Sequence, residues 1–139
     1  MASSTTNNDE TITIDVSSDI EKLNGKEVDF FSFEGKYTAK ITNVYDGDTC
    51  HAIIPFGDKF TKIHIRMLGY NCPEMRDKDP EKKHQAKLAK ELFSSLVLDK
   101  IVTLDCGKFD KYGRVLGKIQ VGDINVNDLM MEKYGKYMV

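Results

Sequence analysis

The first ten residues of this chain hold neither a basic start nor an apolar stretch, so no secretory signal is expected. Ala2 follows the initiator Met where N-myristoylation needs glycine, so that anchor is not expected. No apolar run approaches the roughly 20 residues that cross a bilayer, so no membrane association is expected. Cysteine is scarce: Cys50, Cys72 and Cys106 make an odd number, with no C-x-x-C pair and no close Cys/His quartet. A disulfide framework and a structural zinc site are both disfavoured. Free thiols in a reducing, intracellular compartment, cytoplasmic or nuclear, are the expectation.

What is present fits one domain. A chain of 139 residues is long enough for a core, and 40% hydrophobic with 30% charged residues is the make-up of an ordinary globular protein. The net charge of −2 conceals an asymmetry. Residues 1–35 carry two lysines against eight acids, whereas the remainder has 18 basic and 14 acidic residues. A basic body behind an acidic segment suits a polyanion partner, although a normally solvated surface accommodates the same charges.

Residues 1–24 lack sustained periodicity and form a polar, acidic segment expected to be largely disordered, above all in the first ten residues, where Ser, Thr, Asn and Asp dominate. Thr11–Val16 could supply an edge strand or a partner-binding segment. A domain is expected from residue 25 to 139. Alternation from Phe31 through Phe33, Tyr37, Ala39, Ile41 and Val44 predicts a strand ending at Asp46-Gly47. Cys50–Ile54 and Phe60–Leu68 predict two more, joined by the turn residues Pro55–Asp58. On the third, Ile63, Ile65 and Met67 share one face, which puts His64 and Arg66 on the other. Glu81–Leu98 repeats apolar residues at spacings of three and four, with Asp79 placed to cap and Pro80 to start a helix. Strands at Ile101–Leu104 and Val115–Val121 and a helix at Asn125–Tyr134 complete the pattern. The order β-β-β-α-β-β-α predicts an α+β, mainly β, fold: a five-stranded Greek-key barrel of the OB type with packed helices.

Three polar segments sit at the ends of these strands. In Asp46-Gly47-Asp48-Thr49 the glycine allows a tight turn, so two carboxylates can crowd one small volume and favour a hard cation such as Ca²⁺ or Mg²⁺. Arg66 and Glu74 bracket the loop Met67–Pro73. Glu74, stiffened by Pro73, could take a proton from water, and Arg66 could grip a phosphate through two parallel hydrogen bonds. In Asp110-Lys111-Tyr112-Gly113-Arg114, Arg114 could neutralise charge on phosphoryl oxygens, Lys111 adds a point charge and Tyr112 a stacking ring. Each segment taken singly also reads as a plain turn or a surface ion pair.

The ordered set D-G-D-T, R-x-x-G-x-x-x-P-E and D-K-Y-G-R resembles the staphylococcal nuclease-like (thermonuclease) family over roughly Lys36 to Tyr137. The resemblance implies an OB-type barrel and calcium-dependent hydrolysis of DNA and RNA phosphodiesters. It implies Arg66, Glu74 and Arg114 as catalytic residues and Asp48 as a metal ligand, joined by the Cys72 backbone carbonyl. Asp46 becomes an acidic neighbour of the metal, and Lys111 and Tyr112 become substrate contacts. Two departures stand out. Asn71 occupies the position of a second calcium-binding aspartate, and an amide oxygen brings no formal charge, so metal affinity is expected to fall or metal choice to shift. The chain also ends at Val139, near where the family often places another nucleotide-stacking tyrosine. Tyr134 and Tyr137 are the candidates to cover the site instead, unless the chain is a truncated form.

The leading expectation is therefore a metal-dependent nuclease of DNA and RNA, preferring single strands and acting as a monomer, with Ca²⁺ as cofactor and Mg²⁺ the alternative. The competing expectation is a catalytically weak or inactive nuclease-like domain that binds nucleic acid or protein.

Overall fold

In the computed structural model, which describes residues 16–135, period-two alternation does the expected work in β3 (Lys59–Met67). Ile63, Ile65 and Met67 are buried while His64 faces outward and Arg66 is half-buried. β1 (Gly35–Asp46) and β2 (Thr49–Phe56) pair antiparallel, as do β2 and β3, with Cys50 opposite Ile65 and Ala52 opposite Ile63. After α2 (Pro80–Val97), β4 (Ile101–Phe109) pairs with β1 and β5 (Val115–Val121) pairs with β4. A parallel contact of β5 with β3, Ile65 opposite Val115 and Met67 opposite Gly117, closes the ring. The circuit β1-β2-β3-β5-β4-β1 is the closed mixed barrel of the OB type, with helices packed around it.

The edges differ from the pattern-based expectation in instructive ways. β1 begins at Gly35, whose φ of 138° favours glycine, rather than near Phe31. Phe31 and Phe33 leave the ladder and pack against Phe56 and Phe109, with ring centroids 5.5–6.3 Å apart. β4 runs five residues past Leu104, because the ladder with β5 persists through Cys106 and Phe109 although Asp105, Gly107 and Lys108 interrupt the apolar pattern. A two-residue strand β6 (Ile124–Asn125) adds to β5 before α3 (Val126–Tyr134). A short helix α1 (Val16–Glu21) with no buried residue precedes the barrel. The disorder expected for residues 1–10, and all of the Thr11–Val16 edge strand except Val16, lie outside the described residues.

The helices begin where capping chemistry puts them. The Asp79 side chain accepts the Glu81 N–H at 3.0 Å with Pro80 at the first helical position, and Asn125 accepts the Asp128 N–H at 3.0 Å. α2 buries Ala86, Ala89, Phe93 and Val97, and α3 buries Val126 and Met130. Tyr134 is 9% exposed within the core, so it does not cover the site; Tyr137 lies outside the described residues. The three cysteines are buried and free. Burial first, then a nearby carboxylate, pushes the Cys50 and Cys72 thiols up to about 12 and the Cys106 thiol to about 11, so all three stay protonated at neutral pH. Among the described residues no helix is long and apolar enough to cross a membrane.

Candidate active site

The β1–β2 turn, the loop after β3 and the loop before β5 meet at one end of the barrel, because β3 lies between β2 and β5 in the closed ring. They enclose a cleft of about 730 Å³. Asp46, Asp48, Arg66, Asn71, Cys72, Glu74, Tyr112 and Arg114 line it, so segments nearly 70 residues apart in sequence share one concave surface. Lys111 is not among the lining residues; its Nζ stands 5.2 Å from the Tyr112 ring centroid.

Asp48 is the anchor of the site and 7% exposed. Its Oδ2 accepts the Cys72 N–H at 2.9 Å and lies 3.2 Å from Arg66 Nη1, while Oδ1 accepts from the Thr49 hydroxyl at 3.2 Å. A buried carboxylate is costly unless its oxygens find donors and a countercharge, and here both are supplied. The Asp48 carbonyl also accepts the Met67 N–H at 2.8 Å, so one residue ties the β1–β2 turn to the end of β3.

Arg66 is held just as firmly. Nη1 donates to the carbonyls of Met67 and Tyr70 at 3.1 and 3.2 Å, and Nη2 donates to Asn71 Oδ1. These bonds fold the Met67–Pro73 loop back over the guanidinium. Tyr70, 2% exposed, closes the same loop onto the turn by donating its hydroxyl to the Gly47 carbonyl at 2.8 Å. Asp46 accepts the Asp48 N–H at 3.1 Å. Burial and the neighbouring Asp48 charge push the Asp46 carboxyl up to about 6.

The glycine between the two aspartates has a different reason from the turn geometry expected of it. Gly47 has no positive φ; a Cβ there would meet Cys72 Sγ at 2.7 Å and Ala89 Cβ at 2.8 Å. Only a hydrogen fits between the turn and α2. Gly47→Ala is expected to destabilise the fold by about 1–3 kcal/mol and to displace Asp48, read as a lower urea midpoint with a weakened site. An unchanged midpoint would show that α2 yields freely there.

On the opposite wall, Asp110 organises the loop before β5. Its Oδ1 accepts the backbone N–H groups of Tyr112 and Arg114 at 2.8 and 2.9 Å, and its Oδ2 accepts Arg114 Nε at 2.7 Å. Although partial burial works the other way, these bonds and the Arg114 charge hold the Asp110 carboxyl below the usual carboxylate range. Arg114 also lies 5.4 Å from the centroid of the Tyr112 ring, which is 70% exposed at the mouth. Glu74 is open to solvent, its side chain 76% exposed and 3.9 Å from Arg76.

Some lining residues were not singled out as site candidates from the sequence. Arg76, Asp77 and Lys82 line the outer cleft, and Tyr70 and Asp110 position the arginines from behind. Tyr70 carries no local signal, because its partner lies 23 residues away in the chain. Asp110 does carry one, since an Asx turn four residues before an arginine invites a carboxylate–guanidinium bond.

Comparison with known proteins bears on the family. A family model described as "Staphylococcal nuclease homologue" matches residues 64–135. Two curated relatives, each called "Uncharacterized endonuclease", come from Escherichia coli and Escherichia coli O157:H7. Each is 30% identical over 93 residues, covering 66% of this chain and 54% of the relative. The chain thus spans about half the length of the curated relatives it matches.

Proposed function

This chain belongs to the family of staphylococcal nuclease homologues, and on that premise we propose that it is a metal-dependent nuclease hydrolysing phosphodiester bonds of single-stranded DNA and RNA. The observation that carries the reading is the convergence of Arg66, Glu74 and Arg114 on the cleft that also holds the Asp46 and Asp48 carboxylates. Two guanidinium groups and an exposed carboxylate in one concave site are what in-line attack of water on a phosphodiester requires. Glu74 takes a proton from the attacking water as its oxygen bonds to phosphorus and the ester bond to the leaving oxygen breaks. Arg114, held at Nε by Asp110, offers its Nη groups to the phosphoryl and leaving oxygens. Arg66 supplies positive charge from the facing wall. Tyr112 offers its exposed ring to a base beside the scissile phosphate, and Lys111 adds a point charge behind it.

The donors that Asp46, Asp48, Asn71 and Cys72 bring to the cleft are hard oxygens: two carboxylates, an amide and, in this reading, the Cys72 carbonyl. That set suits Ca²⁺, with Mg²⁺ as an alternative, over zinc. Such a cation, when bound, polarises the phosphoryl group. Asp48 and Asn71 would hold it, with the Cys72 carbonyl, and Asp46 would lie close by. Among the described residues no three His, Cys, Asp or Glu side chains gather to hold a metal, so the reading relies on the Asn71 and Cys72 oxygens beside Asp48. Arg66 already draws on Asp48 Oδ2 and Asn71 Oδ1, so it competes with a cation for the same atoms. Asn71→Asp adds one negative charge to that set and is expected to raise Ca²⁺ affinity about tenfold, measured by calorimetric titration. Unchanged affinity would remove Asn71 from the ligand set.

The test of the reading is cleavage of labelled single-stranded DNA and RNA with Ca²⁺, with Mg²⁺ and with chelator. One observation favours a second reading, a domain that binds without cutting: the Arg66 hydrogen bonds all go to protein oxygens. Binding without turnover under every condition would select it.

A further inference from the structure

The outward face of the β2–β3 hairpin carries a row of side chains that the chemistry above does not use. Arg66, His64, Lys62 and Phe60 occupy alternate positions of β3 and so share one face of the sheet. Leading away from the cleft, the row reads cation, ring, cation, ring. Its first member lines the cleft, and the register fixes the others: His64 opposite His51, Lys62 opposite Ile53, Phe60 opposite Pro55. The His51 and His64 rings lie against each other, with centroids 4.3 Å apart and planes inclined by 31°. Burial, His64 and Lys62 push the His51 imidazole below its ordinary range.

Three features suit this face to a polyanion with flat bases. His64 and Lys62 are exposed, and Phe60 is 74% exposed, so its ring is open to a base. Within β1, β2 and β3 the sole carboxylate is Asp46, which lines the cleft, in a chain where acids outnumber bases 22 to 20. Alternate residues of a strand are about 6.6 Å apart, so an extended nucleic-acid strand can set a phosphate against each cation and a base against each ring.

We propose that this row is a binding track for single-stranded nucleic acid leading away from the scissile phosphate, with Lys62 contacting a phosphate and His64, backed by His51, and Phe60, about 13 Å apart along the strand, stacking alternate bases. The track rests on the nuclease reading of the cleft for its direction. It makes the enzyme discriminate by length: a strand that reaches Phe60 binds better than one that fills the cleft alone.

The test uses the full chain and the variants His64→Ala, Phe60→Ala and Lys62→Gln, each at an exposed position, with folding checked by circular dichroism. Affinity for a labelled single-stranded oligonucleotide of about 12 nucleotides is measured by fluorescence anisotropy, with chelator present. The ratio of kcat/KM for that strand to kcat/KM for a dinucleotide is measured with Ca²⁺. His64→Ala and Phe60→Ala are each expected to weaken oligonucleotide binding about tenfold. Lys62→Gln is expected to lessen the slope of log affinity against log salt by about 0.7. The long-to-short ratio falls in all three. Unchanged affinity and salt slope in all three variants, with the wild type still cutting, would overturn the track and leave the nuclease reading intact. Row-dependent binding without cutting would uphold the track and remove the nuclease reading. Effects that appear only when chelator is omitted would assign the histidine pair to a metal ion and overturn the track.

Discussion

Replacing Glu74 by glutamine is expected to lower kcat for cleavage of a labelled single strand by about 10²–10⁴-fold, with affinity for the uncut strand retained. Glutamine keeps the size and hydrogen-bonding reach of glutamate but cannot accept a proton from water. The position makes this a clean experiment. Glu74 is largely exposed and makes only a long 3.9 Å ion pair with the equally open Arg76, so the substitution leaves the fold alone. Asp48 and Arg66, by contrast, are built into the loop architecture through shared hydrogen bonds, and removing either disturbs structure and chemistry together. Full activity in Glu74→Gln would move the general base elsewhere, with Asp77, which also lines the cleft, as the next candidate.

Asn127→Ala is expected to destabilise the protein by about 2–3 kcal/mol, measured by urea denaturation. Asn127 is 7% exposed at the start of α3. Its Oδ1 accepts the Ile119 N–H at 2.8 Å, and its Nδ2 donates to the carbonyls of Leu68 and Gly117 at 2.8 and 3.0 Å. One amide thus joins α3 to β5 and to the chain leaving β3, beside the parallel contact that closes the barrel. Alanine leaves the Ile119 N–H buried without its acceptor, and the penalty for an unmet buried donor dominates the change. A loss below about 0.5 kcal/mol in Asn127→Ala would mean that water replaces the amide and that barrel closure does not depend on it.

The barrel was legible wherever a periodic pattern met a clear terminator. β5 falls at Val115–Val121 as the alternation predicts, and α2 starts on Asp79 and Pro80 because cap and ring act locally. What escaped depended on partners distant in sequence. The departure of Phe31 and Phe33 from β1 follows from Phe56 and Phe109, which only the closed barrel brings near. The extension of β4 follows from its ladder with β5 and not from its own polar residues. In the site, the chemistry-bearing residues could be named from their types and order, and the structure places all but Lys111 around one cleft. Their supports could not be named. Gly47 reads as a turn glycine until Ala89 and Cys72 are seen against it, and Asn127 reads as an ordinary polar residue of a helix start. Tyr70 reads as a loop aromatic until its hydroxyl is found on the Gly47 carbonyl.

The central claim is that the Arg66–Glu74–Arg114 cleft cuts phosphodiesters with the help of a divalent cation. It is tested most directly by incubating wild type and Glu74→Gln with an end-labelled single-stranded oligonucleotide, each with Ca²⁺ and with chelator. The account predicts cleavage by the wild type in Ca²⁺ alone, with the strand left intact in the other three incubations. An intact strand in all four, with the oligonucleotide still bound, or equal cleavage by both proteins, would contradict it.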